Sequence, residues 1–286
     1  MSTAQNEGSA AARWQRLVTG RLEEMRRLSP SAGSISGSFW NGGRAERYAK
    51  YAPLPDERSD PLLRRLRRVT GASTSVIDVG AGTGRYAIAL ASQAGQVTAV
   101  DPSAAMLAVL ERRARELGAT NITTVQATWE EAQVEAADVV FSSFVMTLVP
   151  DGASFVKTLD AAAREHVLLY LGAYSADAIT DPLWRHFHHH PRAPGPSYLD
   201  ALAVLRELGI EPQVRVAEIP NRRRFATLDE AVETYRDWLL LPDGDDVRDE
   251  LRGLLAVWLQ GRAGALRSPL RSDAAAVLEW RPRRRS

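Results

Sequence analysis

The sequence contains no cysteine. Disulfides, thiolate zinc centres, iron–sulfur clusters and a cysteine nucleophile are excluded together. Lysine is almost missing: Lys50 and Lys157 stand among 36 basic residues, and arginine supplies the rest. No run of about 18 apolar residues occurs, so no membrane-spanning helix and no membrane partner are expected. The opening stretch MSTAQNEGSAAARWQRL lacks the apolar centre of a secretory signal, which points to a cytoplasmic protein. A large charge of one sign is also missing. The 36 basic residues face 35 acidic ones, net +1, so no global field draws the chain onto nucleic acid.

What is present is enough for a substantial core: 286 residues, 45% of them hydrophobic. At roughly 100–200 residues per domain this is one large domain or two modest ones. Three segments are expected: an N-terminal helical segment with a lid over 1–60, a binding core over 61–172, and covering helices that complete the sheet over 173–286. Residues 1–75 lean basic at net +6, residues 76–172 lean acidic at net −5, and residues 173–286 are balanced. The basic excess is concentrated in the helix Pro61–Val69, where Arg64, Arg65, Arg67 and Arg68 alternate with Leu62, Leu63 and Leu66. That pattern reads as a solvated amphipathic face, and the arginine tail Arg281–Ser286 as a solubilising terminus.

Along the chain, Ala11–Leu28 has helical spacing of Trp14, Leu17, Val18, Leu22 and Met25. Ser29–Gly43 is a loop or lid, rich in serine and glycine, and Asn41–Tyr51 a short helix. From Ser75 short apolar strands alternate with helices. Strands are expected at Val76–Val79, Gln96–Val100, Ile122–Gln126, Asp138–Ser142 and Val167–Leu171. Helices are expected at Arg85–Ala94, Ser103–Leu117 and Ala153–Arg164. This alternation predicts a parallel sheet with helices on both faces. Beyond it come helices at Asp181–His190, Tyr198–Leu208, Leu228–Leu239 and Val247–Gln260, a strand at Gln213–Ile219, and a final strand-like run at Ala274–Trp280.

The strongest local signal is Val76-Ile77-Asp78-Val79-Gly80-Ala81-Gly82-Thr83-Gly84-Arg85. Three alternate glycines between strand and helix allow positive φ and close backbone approach at a helix start. A nucleotide-like ligand can lie across such a turn. The dinucleotide pattern G-x-G-x-x-G fails, because its last position falls on Arg85 or Ala87, and a Walker loop fails for want of a GK[ST] ending. The next strand ends in Asp101, a carboxylate placed to accept both hydroxyls of a ribose. Taken alone, Asp101 could also be an N-cap of the helix that follows.

Asp-Val-Gly-Ala-Gly-Thr-Gly followed by Val-Asp-Pro-Ser-Ala-Ala-Met-Leu resembles the class I S-adenosylmethionine-dependent methyltransferases, over about residues 76–172. The resemblance implies an α/β fold: a doubly wound, mostly parallel seven-stranded sheet of Rossmann-like type. It adds an N-terminal helical segment, a helical insertion before the last strand, and an antiparallel seventh strand at Ala274–Trp280. It implies S-adenosyl-L-methionine as cofactor. Gly80, Ala81, Gly82 and Gly84 would pass its methionine part, with Asp78 at the ammonium end. Asp101 would hold the ribose, Pro102 and Met106 would flank the adenine, and Ser143 and Phe144 would line the methionine side. Relatives commonly carry an acid where this chain has Thr128, followed by Trp129; a threonine hydroxyl there is a weaker acceptor for the adenine edge.

Trp40, Arg44 and Tyr48 fall where relatives place an N-terminal segment over the cofactor, with a packing role and a lid role both open. His186, His188, His189 and His190 cluster beside Trp184 and Phe187, without a carboxylate or thiolate at ligand spacing, so no metal is expected. His186 is the candidate base, with Trp184 and Phe187 as an apolar wall that lowers its pKa. Arg222–Arg224 form a solvated turn or an anionic clamp. The expected activity is methylation of a small organic acceptor by a monomer or homodimer. The alternatives are a nucleic-acid-modifying enzyme that uses the arginine patches, and a protein that holds the cofactor without catalysis.

Overall fold

The computed structural model describes residues 8–29, 40, 42–173, 180–221, 224–262, 264–269 and 272–283. Most of the expected Ser29–Gly43 lid lies outside the described residues, as do Arg222, Arg223 and the end of the arginine tail. The short helix expected over Asn41–Tyr51 forms over Gly42–Tyr51. The chain runs α1 (Ala10–Leu28), α2 (Gly42–Tyr51), α3 (Pro61–Val69), β1 (Ser75–Val79), α4 (Arg85–Ala91), β2 (Gln96–Val100), α5 (Ala104–Glu116), β3 (Ile122–Val125) and β4 (Ala137–Ser143). After a short 3-10 turn at Met146–Leu148 come α6 (Gly152–Ala162), β5 (Ala163–Gly172), α7 (Asp181–His188), α8 (Tyr198–Glu207), β6 (Gln213–Pro220), α9 (Leu228–Trp238), α10 (Asp245–Trp258) and β7 (Ser272–Trp280). Among the described residues no helix is long and apolar enough to cross a membrane.

Helix starts are written in the sequence as side-chain acceptors. Asp60 accepts from Leu63 N–H ahead of Pro61, Ser103 from Met106 N–H, and Thr227 from Glu230 N–H. Ser197 and Asp200 form a reciprocal capping box at α8.

The seven strands lie in the order β3-β2-β1-β4-β5-β7-β6. The first five pair in parallel, and β7 is antiparallel to both neighbours, as expected for the final strand. Consecutive strands step outward from β1 to β3, then return to β4 on its other side. The crevice where that direction reverses lies beyond the carboxyl ends of β1 and β4, which is where ligands bind in such sheets.

Strand alternation divides the core between two faces. Ile77, Val79 and Val140 meet Trp14 and Val18 of α1, Phe155 and Leu159 of α6, and Val204 and Leu205 of α8. Val76, Val139 and Phe141 meet Leu62 and Leu66 of α3, Leu90 of α4, and Leu107 and Leu110 of α5. The fifth strand starts at Ala163, earlier than the expected Val167, because Ala163 and His166 pair with Ala137 and Val139 of β4. Arg164 and Glu165 within that extension are exposed and carry no apolar signal.

A third cluster forms a cap. Leu183 and Trp184 of α7 pack with Ala231, Val232 and Tyr235 of α9 and with Leu251 and Leu255 of α10. Helix α2 ties this cap to the sheet layers. Its Ala45 is buried with Met106 and Val109 of α5, while Arg44 and Arg47 both pair with Asp237 of α9, at 3.3 and 2.7 Å.

The arginines of α3 are turned onto acceptors of the same chain. Arg64 donates to the carbonyls of Glu57 and Arg58, Arg67 to the Glu57 carboxylate, and Arg65 to both oxygens of Glu279 at 2.5 Å. His166 Nδ1 lies 3.0 Å from the same carboxylate. In the tail, Arg283 reaches the carbonyls of Leu208 and Gly209 at the end of α8. Burial raises the Glu279 pKa, but the Arg65 and His166 contacts outweigh it and hold the group below its ordinary value. Such a group contributes stability that is present above its unfolded value of 4.5 and is lost as pH falls. Replacing Arg65 with Met strands the carboxylate, so urea unfolding at pH 7 should show a loss of about 2–4 kcal/mol. The gap from wild type should shrink below about pH 4 as Glu279 takes up a proton.

Candidate active site

The glycine turn is fixed by its own backbone and by one carboxylate. Gly80 and Ala81 N–H both donate to the Val100 carbonyl, at 2.8 and 3.0 Å, and Gly84 N–H donates to Ala81 at 2.9 Å. Asp101 Oδ2 accepts from Gly82 N–H at 2.9 Å, and its Oδ1 accepts from Ser103 N–H at 2.9 Å. Asp101 therefore bridges the turn after β1 and the start of α5, while Ser103 performs the N-capping. Burial raises the Asp101 pKa, and these two backbone bonds oppose the rise. Each oxygen keeps a further lone pair.

The glycines of the turn do different work. All three have positive φ, but a Cβ on Gly80 would sit 2.0 Å from Val145 Cγ2, and one on Gly84 2.6 Å from Leu110 Cγ. Those two are demanded by packing. A Cβ on Gly82, at φ +53°, meets nothing within 4 Å: it would point into open space over the turn.

Asp78 lies under this turn at 2% exposure. The Ala87 N–H of α4 bonds the carboxyl group, but Oδ2 is buried without a partner. Burial pushes the pKa to about 8, and the Asp101 charge adds to the rise. The site so far is a buried acid that lacks a cation, beside a carboxylate with spare acceptor capacity and an open glycine.

The other expected residues divide. Trp40 and Tyr48 do come to this end of the sheet. Ser103 Oγ donates to the Trp40 carbonyl at 3.5 Å, the two rings meet edge-on at 5.1 Å, and Tyr48 is 42% exposed. Phe144 follows β4 at the crevice, in the left-handed region at φ 60°, with its N–H on the Tyr170 carbonyl. Ser143 ends β4 opposite Tyr170, and Pro102 lies half-buried beside Asp101.

Four of the expected residues have other contacts within the chain. Ala81 is packed into the core beneath the turn. Met106 is buried under α2 with Ala45 and Val109, so it supports the N-terminal helix. Thr128 spends its hydroxyl on Glu131 at 2.8 Å. The Trp129 indole packs toward the α6 side of the sheet and donates to Thr158 Oγ1 at 2.8 Å, a packing role that keeps it out of the group around Asp101.

The histidine assignment also changes. His186, expected in an apolar pocket, is exposed on α7 and lies 2.7 Å from the Glu250 carboxylate of α10. The apolar wall belongs to His188: its ring stacks on Trp184 at 4.0 Å, and Nε2 lies 2.8 Å from the Leu239 carbonyl. Burial holds the His188 pKa below its ordinary value, opposed by the Leu239 contact. The helix ends one residue later, where His189 adopts φ 58°, so the i, i+4 pairing of His186 and His190 is not formed on one helix. Among the described residues no group of three His, Asp or Glu side chains could hold a metal ion.

Sequence reasoning passed over Asp60, Arg85, Tyr86 and Tyr170, which meet beside the crevice. Asp60 Oδ2 accepts from Arg85 Nη2 at 3.1 Å and from Tyr86 O–H at 3.0 Å. The Tyr170 ring lies 6.4 Å from Tyr86 and 5.0 Å from Phe144. A tyrosine inside Leu168-Leu169-Tyr170-Leu171 and an arginine directly after the glycine turn were the available signals.

Residues 76–165 match the family described as methyltransferase domain. An uncharacterised protein of Haemophilus influenzae is 36% identical over 117 residues, covering 40% of this chain and 42% of that protein. The chain thus spans about two fifths of that relative's length. Among solved structures, a candidate methyltransferase of Bacillus halodurans superposes with a TM-score of 0.53 at 18% identity, over 78% of this chain and 99% of that one. Magnesium protoporphyrin IX methyltransferase from Synechocystis, solved with bound S-adenosylhomocysteine, gives 0.52 at 14% identity, over 84% and 95%. These two likenesses are to the fold, and the fold is the Rossmann-like one expected. Residues 76–165 thus form a methyltransferase domain, set in the Rossmann-like fold of these neighbours.

Two tests follow from the site's electrostatics and packing. Asp78 binds a proton in the folded chain that the unfolded chain releases near its ordinary value of 3.8, so its contribution to stability is lost as pH rises toward about 8. Asp78→Asn removes that loss. Without ligand, the variant should be more stable than wild type by about 1–3 kcal/mol at pH 9 in urea unfolding, with the advantage vanishing near pH 4. His188→Ala should cost about 1–2 kcal/mol and His186→Ala within about 0.5 kcal/mol, as checked by chemical denaturation.

Proposed function

We propose that this chain binds S-adenosylmethionine across the Gly80–Gly84 turn and transfers its methyl group to a small organic acceptor. The observation that carries the reading is the joint geometry of Asp101 and Gly82: a buried carboxylate with free lone pairs beside the one glycine of the turn whose missing side chain leaves open space. The residues fit the group. Asp101 would accept the ribose hydroxyls, and the unpartnered Asp78 Oδ2 would meet the ammonium end. Trp40 and Tyr48 would cover the Asp101 side, and Ser143 and Phe144 would line the methionine side.

The cofactor supplies a methyl group already activated on a sulfonium, so the protein's task is mainly to position it. The Asp101 bond holds the turn in register with β2. A cation beside Asp78 would draw the proton from its carboxyl and convert an unfavourable buried acid into a paired one. The cap of α2, α7, α9 and α10 favours an acceptor of small or medium size, enclosed away from water, over a duplex. The internal pairing of Arg64, Arg65 and Arg67 points the same way.

Calorimetric titration with S-adenosylhomocysteine tests the site. Asp101→Ala should weaken binding by about tenfold to a hundredfold, since a charged acceptor of two hydroxyls is lost. Gly82→Asn tolerates the positive φ yet fills the open space, so it should abolish binding while circular dichroism stays unchanged. Mass spectrometry of an acceptor library should then show a product heavier by one methylene; wild-type affinity in Asp101→Ala would remove the ribose assignment.

A further inference from the structure

Two hydrogen-bond donors beside the crevice have no acceptor. Tyr170 is 1% exposed, and its hydroxyl is buried without a partner. Arg85 Nε is also buried without a partner, although Asp60 holds the other end of the guanidinium. Both side chains lie against one ring: Arg85 Cζ is 5.4 Å from the Tyr86 centroid, and the Tyr170 ring 6.4 Å from it. Tyr86 donates its own proton to Asp60, and neither donor bonds to its oxygen. A buried unpaired donor is costly, and two in one cluster fit an oxygen ligand.

The surroundings narrow that ligand. The charges of Asp60 and Asp273 both reach the Tyr170 hydroxyl and raise its pKa, so a multiply charged anion is disfavoured there. Asp60 also neutralises part of the Arg85 charge. One delocalised negative charge with two oxygens in a plane suits a guanidinium N–H beside a phenol O–H. Phe144, 44% exposed and held at φ 60°, sets its ring 5.0 Å from Tyr170. A non-glycine residue kept in that conformation at a crevice marks a place where the surrounding fold fixes a side chain for a ligand. It offers a flat apolar wall next to the donors.

We propose that Arg85 and Tyr170 form a subsite for the carboxylate of a flat, aromatic or unsaturated monocarboxylic acid that binds beside the cofactor. This rests on the methyl-transfer reading above. Sheet order separates it from the ribose end: β5 lies three strands from β2, roughly 14 Å.

Benzoate is the probe, with benzyl alcohol as the uncharged control, titrated by calorimetry into protein saturated with S-adenosylhomocysteine. Wild type should bind benzoate and not benzyl alcohol. Tyr170→Phe should weaken benzoate about tenfold or more, keep S-adenosylhomocysteine affinity within about twofold, and melt no lower than wild type, because the deleted hydroxyl bonds nothing in the free protein. Arg85→Gln should weaken benzoate as well. Equal response to the two probes, unchanged benzoate affinity in Tyr170→Phe, or a lower melting temperature for that variant would each overturn the subsite. A parallel loss of S-adenosylhomocysteine affinity would overturn it too, by assigning the donors to the cofactor's own carboxylate. Binding of S-adenosylhomocysteine without benzoate overturns this inference alone, whereas failure of wild type to bind S-adenosylhomocysteine overturns the methyl-transfer reading with it.

Discussion

The hydrogen bond from Gly82 N–H to Asp101 Oδ2 is the constraint on which the rest of the site depends. It closes the loop after β1 onto the end of β2, next to the crevice beyond β1 and β4. Asp101 can do this because β1 and β2 pair in parallel with Val79 opposite Val100, which brings both strand ends to one level. Gly80 and Ala81 then spend their N–H groups on the Val100 carbonyl. The turn is over-determined, so its one open position, above Gly82, is a built feature of the fold.

Burial of charge follows a consistent logic across the molecule. Where the chain buries a carboxylate for structure, it supplies partners: Glu279 has Arg65 and His166, and Asp60 has Leu63 N–H, Arg85 and Tyr86. Where it buries polar atoms at the crevice, partners are missing: Asp78 Oδ2, Arg85 Nε and Tyr170 Oη. A lone buried polar atom is costly in a low-dielectric interior. These three group around the carboxyl ends of β1 and β5, while Arg67 Nε and Trp184 Nε1 are unpartnered elsewhere in the core.

The cap links this region to the C-terminal third. Helix α2 is held from both sides, by Ala45 in the pocket of Met106 and Val109 and by Arg44 and Arg47 on Asp237. Its exposed Tyr48 and the neighbouring Trp40 are thereby fixed beside the Asp101 end. Movement of α9 would be carried to the ligand side through these two arginines, because a guanidinium pair and a packed alanine both resist sliding.

The sequence by itself determined the alternation of strands and helices, the glycine turn and the carboxylate after β2. Local rules govern these: apolar runs of strand length, side-chain acceptors at helix starts, and positive φ in a tight turn. Asp101, which alone could pass for a helix cap, instead joins the turn to the start of α5, and Ser103 is the cap. Tertiary structure alone decided which titratable groups share a neighbourhood. His186 and His188 are two residues apart, yet one meets Glu250 in solvent and the other stacks on Trp184, because α7 turns one side toward α9 and the other toward water. Met106 and Trp129 have the right residue types for a ligand wall, but packing against α2 and α6 claims them. Asp60, Arg85 and Tyr170 come from three separate elements, and no periodicity in the chain relates them. Burial, partner geometry and unsatisfied donors depend on contacts between distant segments, and those exist only once the sheet has assembled.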